Sequence, residues 1–269
     1  MEFRTVVDVP DPGFRIDPCA ELLFVGSCFA DSIGHRFQEE KFRVTVNPFG
    51  VMYNPASILH TVERLAAQAL RPAAAFLTLG TNHVYRLKET GEIVDNCQKR
   101  PQALFTEEEL SVDDCAALLG QTVTLLRQQN PDMRIVLTVS PIRYRKYGYH
   151  GSQLSKATLL LAADKVCRAY PGAGYFPAYE IVNDELRDYR FYKADMLHPS
   201  DQTVEYIWQR LSAVYLSEAA KTFLKEWAPL KAVLNHKPFN PDSEEYQALM
   251  DKTMLKVQEL QKKYPNFAV

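Results

Sequence analysis

The sequence has no long apolar run, no paired-cysteine motif and almost no net charge, and each absence removes a class of function. No window reaches the roughly 18 to 20 apolar residues of a membrane-spanning helix. The first twenty residues, MEFRTVVDVPDPGFRIDPCA, carry acids and three prolines but no apolar stretch of a secretory leader. A cytoplasmic protein is therefore expected, although a chain already trimmed of its leader would read the same. Five cysteines (Cys19, Cys28, Cys97, Cys115 and Cys167) are an odd number without C-x-x-C or Cys/His metal spacing. They read as reduced thiols, not as a disulfide framework or a zinc site. His35, His60, His83 and His236 are scattered and receive no metal role. With 31 Lys and Arg against 33 Asp and Glu, the net charge of -2 exerts no global pull on nucleic acid or an anionic membrane. There are no internal repeats or low-complexity tracts.

What is present is enough apolar material for one large core: 46% of 269 residues are hydrophobic and 24% charged. Short apolar runs at 21–26, 42–47, 74–80, 133–141 and 175–182 alternate with helical patterns at 29–40, 56–70, 107–129 and 152–170. Near-continuous apolar strands joined by helices predict an α/β fold, a three-layer, doubly wound α/β/α domain around a mainly parallel five-stranded sheet. Ligands of such sheets bind beyond the carboxyl ends of the strands, which selects Ser27, the stretch 47–50, Thr81 with Asn82, and the stretch 140–145. Residues 83–97 alternate around Glu89-Thr90-Gly91 and predict a β-hairpin insertion. Residues 1–217 are expected to form the main domain. After a helix at 201–217, residues 218–269 form a helical appendage whose amphipathic last helix packs on the core or a second subunit, an arrangement compatible with a homodimer.

Two stretches carry candidate chemistry. Ser27 follows the first strand at the start of a helix, where a tight turn exposes a hydroxyl and aims backbone N–H groups at a developing oxyanion. The same Gly-Ser pair also serves as a simple turn and helix cap. Far along the chain, Asp195 and His198 lie three apart before Pro199, with Ser200 placed to cap the next helix. This spacing lets the carboxylate fix the imidazole tautomer. Cys28 offers a competing thiol nucleophile, since a thiolate is the better nucleophile. PIRYRKYGYHGSQ (141–153) has three basic residues and three tyrosines, suited to grip a sugar, an anionic substituent or single-stranded RNA; Arg143, Tyr144 and Arg145 are the substrate-binding candidates.

Gly26-Ser27-Cys28-Phe29-Ala30, Asn47-Pro48-Phe49-Gly50, Leu79-Gly80-Thr81, Asn96-Cys97, Ser140-Pro141, Ser155-Lys156 and Asp195-Met196-Leu197-His198-Pro199-Ser200 occur in an order that resembles the GSCFA family. That family's domain is similar to the SGNH hydrolases. The resemblance implies a Ser27 nucleophile, a His198 general base oriented by Asp195, and oxyanion donors from the N–H groups of Ser27 and Gly50. A third donor would be Asn82, in Gly80-Thr81-Asn82, or Asn96 on the returning hairpin strand. By the same resemblance Cys28 would be tucked into the core. The implied activity is a serine esterase or O-acyltransferase acting on a small acyl group, acetyl above all, of a carbohydrate or related polar molecule. No metal or organic cofactor is expected, and neither nucleic acid nor membrane is expected as a partner. The alternatives are a non-catalytic protein binding glycan or acylated ligands on the same fold, and an RNA-binding role through the loop from Arg143 to Lys146.

Overall fold

The computed structural model describes residues 3–68, 70–95, 97 and 99–267. The sheet starts from β1 (Glu21–Gly26), an apolar run buried on both faces, which pairs in parallel with β2 (Arg43–Val46) on one side and β3 (Ala74–Leu79) on the other. The connecting helices are α1 (Cys28–Glu39) and α2 (Pro55–Leu65). Beyond β3 come β4 (His83–Leu87), β5 (Ile93–Val94), β6 (Phe105–Glu109), α3 (Val112–Gln129), β7 (Arg134–Val139), α4 (Gly148–Ala169) and β8 (Ala173–Tyr175). The five parallel strands lie in the order β2-β1-β3-β7-β8, so the chain winds outward in both directions from β1 and β3. This is the doubly wound pattern whose ligand crevice opens where the winding reverses.

Period-two alternation assigns each strand residue to a layer. Leu23, Val25, Leu77, Leu137 and Val139 face the helices that carry Val62, Val123 and Leu159. Leu22, Phe24, Phe76 and Val136 face the opposite side, which is covered by α1 and by α6 (Asp201–Tyr215). There Phe24 stacks on Phe76 with centroids 4.6 Å apart, and Phe37 of α1 meets Trp208 of α6 edge to face at 4.6 Å. Aromatic pairs of this kind add to the area they bury, so α1 is held firmly against both the sheet and α6.

Three elements differ from the sequence expectation. The fifth strand is only Ala173–Tyr175; beyond Pro177 the chain turns into α5 (Ala178–Glu180) and a wider helical turn over Ile181–Leu186. Proline removes the ladder N–H that a longer strand would need. The hairpin β4–β5 is present, pairing Tyr85 with Val94 and Arg86 with Ile93, but β6 adds a third antiparallel strand along β4. Its sequence, FTEEE, has no apolar alternation, which is why it reads as the start of α3. The helix itself begins at a capping box, where Ser111 and Asp114 bond each other's backbone N–H.

The chain ends in α7 (Glu218–Leu234) and α8 (Glu244–Lys263). Phe223, Trp227, Leu230, Val257, Leu260 and Phe267 form their own apolar cluster, which takes in Cys19. Trp227 donates its indole N–H to the Glu39 carbonyl at 3.0 Å, and Lys231 lies 3.1 Å from both Glu39 and Glu40. These contacts fasten the pair to the end of α1. Among the described residues, no helix is long and apolar enough to cross a membrane.

Candidate active site

The junction of β1 and α1 is built around Gly26. Its φ is +143°, and a Cβ there would lie 2.1 Å from the Thr78 carbonyl oxygen, so only glycine lets β1 close on β3 at this point. Asn47, in the turn after β2, accepts the Gly26 N–H at 2.8 Å and donates to Asp31 at 2.6 Å. The turn thereby locks the strand end to the first turn of α1.

Ser27 caps that helix. Its hydroxyl accepts from the Phe29 N–H at 3.3 Å and pairs with the Thr78 hydroxyl at 3.1 Å, and the residue is 0% exposed. Cys28, placed in the core by the sequence reading, packs against the core cluster of the α1 side but only in part: it stays half-buried, with its sulfur 3.7 Å from the Tyr53 hydroxyl. The reason is local: a residue whose side chain must reach its own helix's N–H groups folds back over the first turn, and the next residue takes the outward position.

Asp195 and His198 meet. Asp195 accepts the backbone N–H of His198 at 3.0 Å and of Leu197 at 2.8 Å through one oxygen, and lies 2.7 Å from His198 Nδ1 through the other. Those backbone bonds, then the imidazole, hold its pKa down at about 2. With Nδ1 engaged by the carboxylate, Nε2 is left to carry the lone pair of a base. The loop is pinned at both ends: Lys193 N–H donates to the His198 carbonyl at 2.7 Å, and Ser200 caps α6. Both side chains are about two-fifths exposed, at 42% and 43%. Among the described residues, no hydrogen bond joins Ser27 to His198; the serine hydroxyl is committed to Thr78 and its cap.

The expected oxyanion donors are also occupied. Ser27 N–H donates to the Thr78 carbonyl at 3.0 Å, because the β1–β3 pairing runs one residue past the strand end. Gly50, at φ +95°, uses its N–H to close the turn on the Asn47 carbonyl at 2.8 Å. Asn82 is buried and donates its amide to the Leu110 carbonyl at 2.8 Å. Asn96 lies outside the described residues.

The basic loop after β7 sits beside the His198 loop. Arg143 donates to the Met196 carbonyl at 3.0 Å, and its backbone N–H to the Leu197 carbonyl at 3.1 Å. Its guanidinium lies over the rings of Tyr149, Tyr192 and Tyr189 at 4.3, 5.5 and 5.7 Å. A cavity of about 310 Å³ opens here, lined by Arg143, Gln153, Asn183, Arg187, Tyr189 and Tyr192 among others. Tyr144 points elsewhere, packing edge-on to Tyr53, and Arg145 is exposed outside that cavity.

Two further groups receive no role in the sequence reading. Lys156 is 2% exposed and donates to the Gly80 carbonyl at 2.7 Å, while burial pulls its pKa down to about 7. It continues the buried stripe Ser152, Ser155, Leu159, Ala162 and Ala163 of α4, a helical spacing that marks it as inward-facing. His60 pairs with Asp95 at 2.8 Å, and Asp95 also takes Arg64 at 2.8 Å. They are thirty-five residues apart, so no local spacing announces the pair. Among the described residues, no group of three or more His, Cys, Asp or Glu side chains is placed to hold a metal ion.

The chain belongs to the GSCFA family, whose pattern it matches over residues 21–76 and 68–211; residues 227–269 match the GSCFA domain protein, C-terminal domain. No curated protein sequence matches it. Among solved structures it is similar to an acetyl-xylooligosaccharide esterase from Geobacillus Stearmophilus, at 14% identity over 76% of this chain and 98% of that one, with a TM-score of 0.46. A family 3 carbohydrate esterase from Clostridium thermocellum is similar at 12% identity over 72% of this chain and 95% of that one, with a TM-score of 0.42.

Proposed function

We propose that the protein is an esterase or O-acyltransferase that works through a covalent acyl-enzyme, with a small acyl group, acetyl above all, carried by a carbohydrate or related polar molecule as its substrate. The observation that carries this reading is the Asp195–His198 pair at 2.7 Å, an accessible imidazole in a loop whose Met196 and Leu197 carbonyls are bonded by Arg143, itself a wall of the neighbouring cavity. The nucleophile comes from the head of α1, where the family resemblance designates Ser27. His198 removes the nucleophile's proton as the ester carbonyl is attacked, then returns it to the departing alcohol. Water or a second hydroxyl, activated by the same imidazole, releases the acyl group. Arg143 and its tyrosines supply a polar, aromatic wall suited to a sugar ring.

The purified protein is expected to release 4-nitrophenol from 4-nitrophenyl acetate, and His198→Ala to lower kcat by about 10²- to 10⁴-fold. Absence of hydrolysis, together with binding on a glycan array, would replace this reading with a non-catalytic glycan-binding protein. One observation favours that second reading: the Ser27 hydroxyl is buried and its N–H already bonded.

A further inference from the structure

We propose that the nucleophile of this site is the Cys28 thiol, with Ser27 as the helix cap that orients it; the inference rests on the acyl-ester reading above. The first ground is the direction each side chain takes. Ser27 turns inward to Thr78 and to the Phe29 N–H and is 0% exposed, whereas Cys28 is partly exposed. A substrate carbonyl can reach only the second without unwinding the first turn of α1.

The second ground is helical register. Along α1, Ser32 and Arg36 face α6: Arg36 bonds Glu205 at 2.8 Å, and Ser32 lines a cavity with Asp201. On this face the first half of α1 and the start of α6 line one cavity, with Ser32, Arg36, Asp201 and Glu205 among its walls. Residues four apart share a helix face. One turn back along α1 from Ser32 is Cys28; three residues back along the chain from Asp201 is His198. The face of α1 that meets α6 thus carries Cys28 one turn before Ser32, while Ser27 lies off it, against the sheet, and the His198 loop leads into the start of α6 at Ser200.

The third ground is what surrounds the sulfur. Tyr53 places its hydroxyl 3.7 Å from Sγ. Edge-on to Tyr53 stands Tyr144, whose hydroxyl is shut off from solvent and, among the described residues, has no partner, against Gly80. A buried hydroxyl left unbonded, one ring removed from the thiol, is a donor in want of an acceptor. Cys28 also has its own backbone N–H at the first helical position, where no intrahelical acceptor exists. Ser27 N–H, by contrast, is consumed by Thr78. The oxyanion of a tetrahedral intermediate on sulfur would lie nearest the Cys28 N–H.

The step balances without an oxidant. Cys28 sulfur gives its proton to His198 and forms a bond to the ester carbonyl carbon. Collapse of the tetrahedral anion breaks the carbon–oxygen bond, and the leaving alcohol takes the proton from the imidazolium. Water, deprotonated by His198, then cleaves the thioester, restoring the thiol and releasing a carboxylic acid.

Two measurements test this. With 4-nitrophenyl acetate and an acid quench, peptide mass spectrometry is expected to find one acetyl group on Cys28, and Cys28→Ala is expected to lose turnover by about 10³-fold or more. An acetyl group on Ser27 with turnover surviving in Cys28→Ala would overturn the proposal. The second readout needs no ester. Iodoacetamide is expected to alkylate Cys28 faster than the partly exposed Cys167, and His198→Gln to slow Cys28 alone by about tenfold. If the wild type hydrolyses no ester yet shows this His198-dependent alkylation, the substrate reading fails and the thiol–imidazole pair stands. Alkylation of Cys28 that is indifferent to His198 would remove the pair.

Discussion

Lys156 Nζ, enclosed in α4, donates to the carbonyl oxygen of Gly80 at 2.7 Å, at the carboxyl end of β3. Its ammonium also lies 4.9 Å from the centre of the Tyr144 ring. A buried cation thus fixes the backbone where the sheet opens toward the candidate site.

The pH dependence of stability follows from that burial. The folded value of about 7 lies below the roughly 10.4 of an unfolded lysine, so between these values the unfolded chain holds a proton that the folded one has shed. Stability contributed by this group is least below about pH 7 and rises toward pH 10. Lys156→Met should remove this rise, so urea midpoints of the wild type and the variant at about pH 6 and about pH 9 should converge or diverge accordingly, the wild type gaining at the higher pH. A constant difference between them would show that Lys156 does not titrate within the fold.

Asp195→Asn tests the orientation of His198. The amide cannot hold the imidazole in the Nδ1–H form as a carboxylate does, and a loss of about 10³- to 10⁴-fold in kcat is expected with little change in KM. Because the pair lies at the surface, with both side chains about two-fifths exposed, the thermal midpoint should barely move.

Gly26→Ala should unfold the junction instead of weakening one step. The added methyl meets the Thr78 carbonyl at 2.1 Å, and φ of +143° is costly for alanine, so a loss of about 2 to 5 kcal/mol is expected in urea unfolding. Gly50→Ala, where no atom lies within 4 Å of the new methyl, should carry only the conformational part of that cost.

His60 offers a pH effect of the opposite kind. Its bond to Asp95 raises its pKa above the ordinary histidine value. The stabilisation is therefore full below the unfolded value and is lost as pH rises through the folded one. Asp95→Asn should abolish this dependence, measured as the shift of the His60 imidazole titration by NMR.

The parallel sheet was legible because buried parallel strands are written as unbroken apolar runs; Leu22 to Val25 and Ile135 to Val139 admit few other readings. β6 was not, since within Phe105 to Glu109 only Phe105 is buried, and an edge strand held by backbone bonds and the Arg86–Glu108 ion pair shows no apolar alternation. Asp195 and His198 were legible as a pair because three residues separate them. Which of Ser27 and Cys28 faces the cleft was not legible, for successive helical residues differ by about 100° around the axis and the cap decides the phase. His60 and Lys156 depend on partners far away in sequence, a relation that one chain without coordinates does not display.

The clasp formed by Trp227 and Lys231 on Glu39 and Glu40 has a mechanical consequence. α1 is a rod of about 18 Å with the proposed nucleophile at its Ser27–Cys28 end and its other end gripped by the last two helices. Any tilt permitted at the grip is delivered as displacement at the far tip, so the tail of the chain acts as a fulcrum setting how steadily the proposed nucleophile is presented.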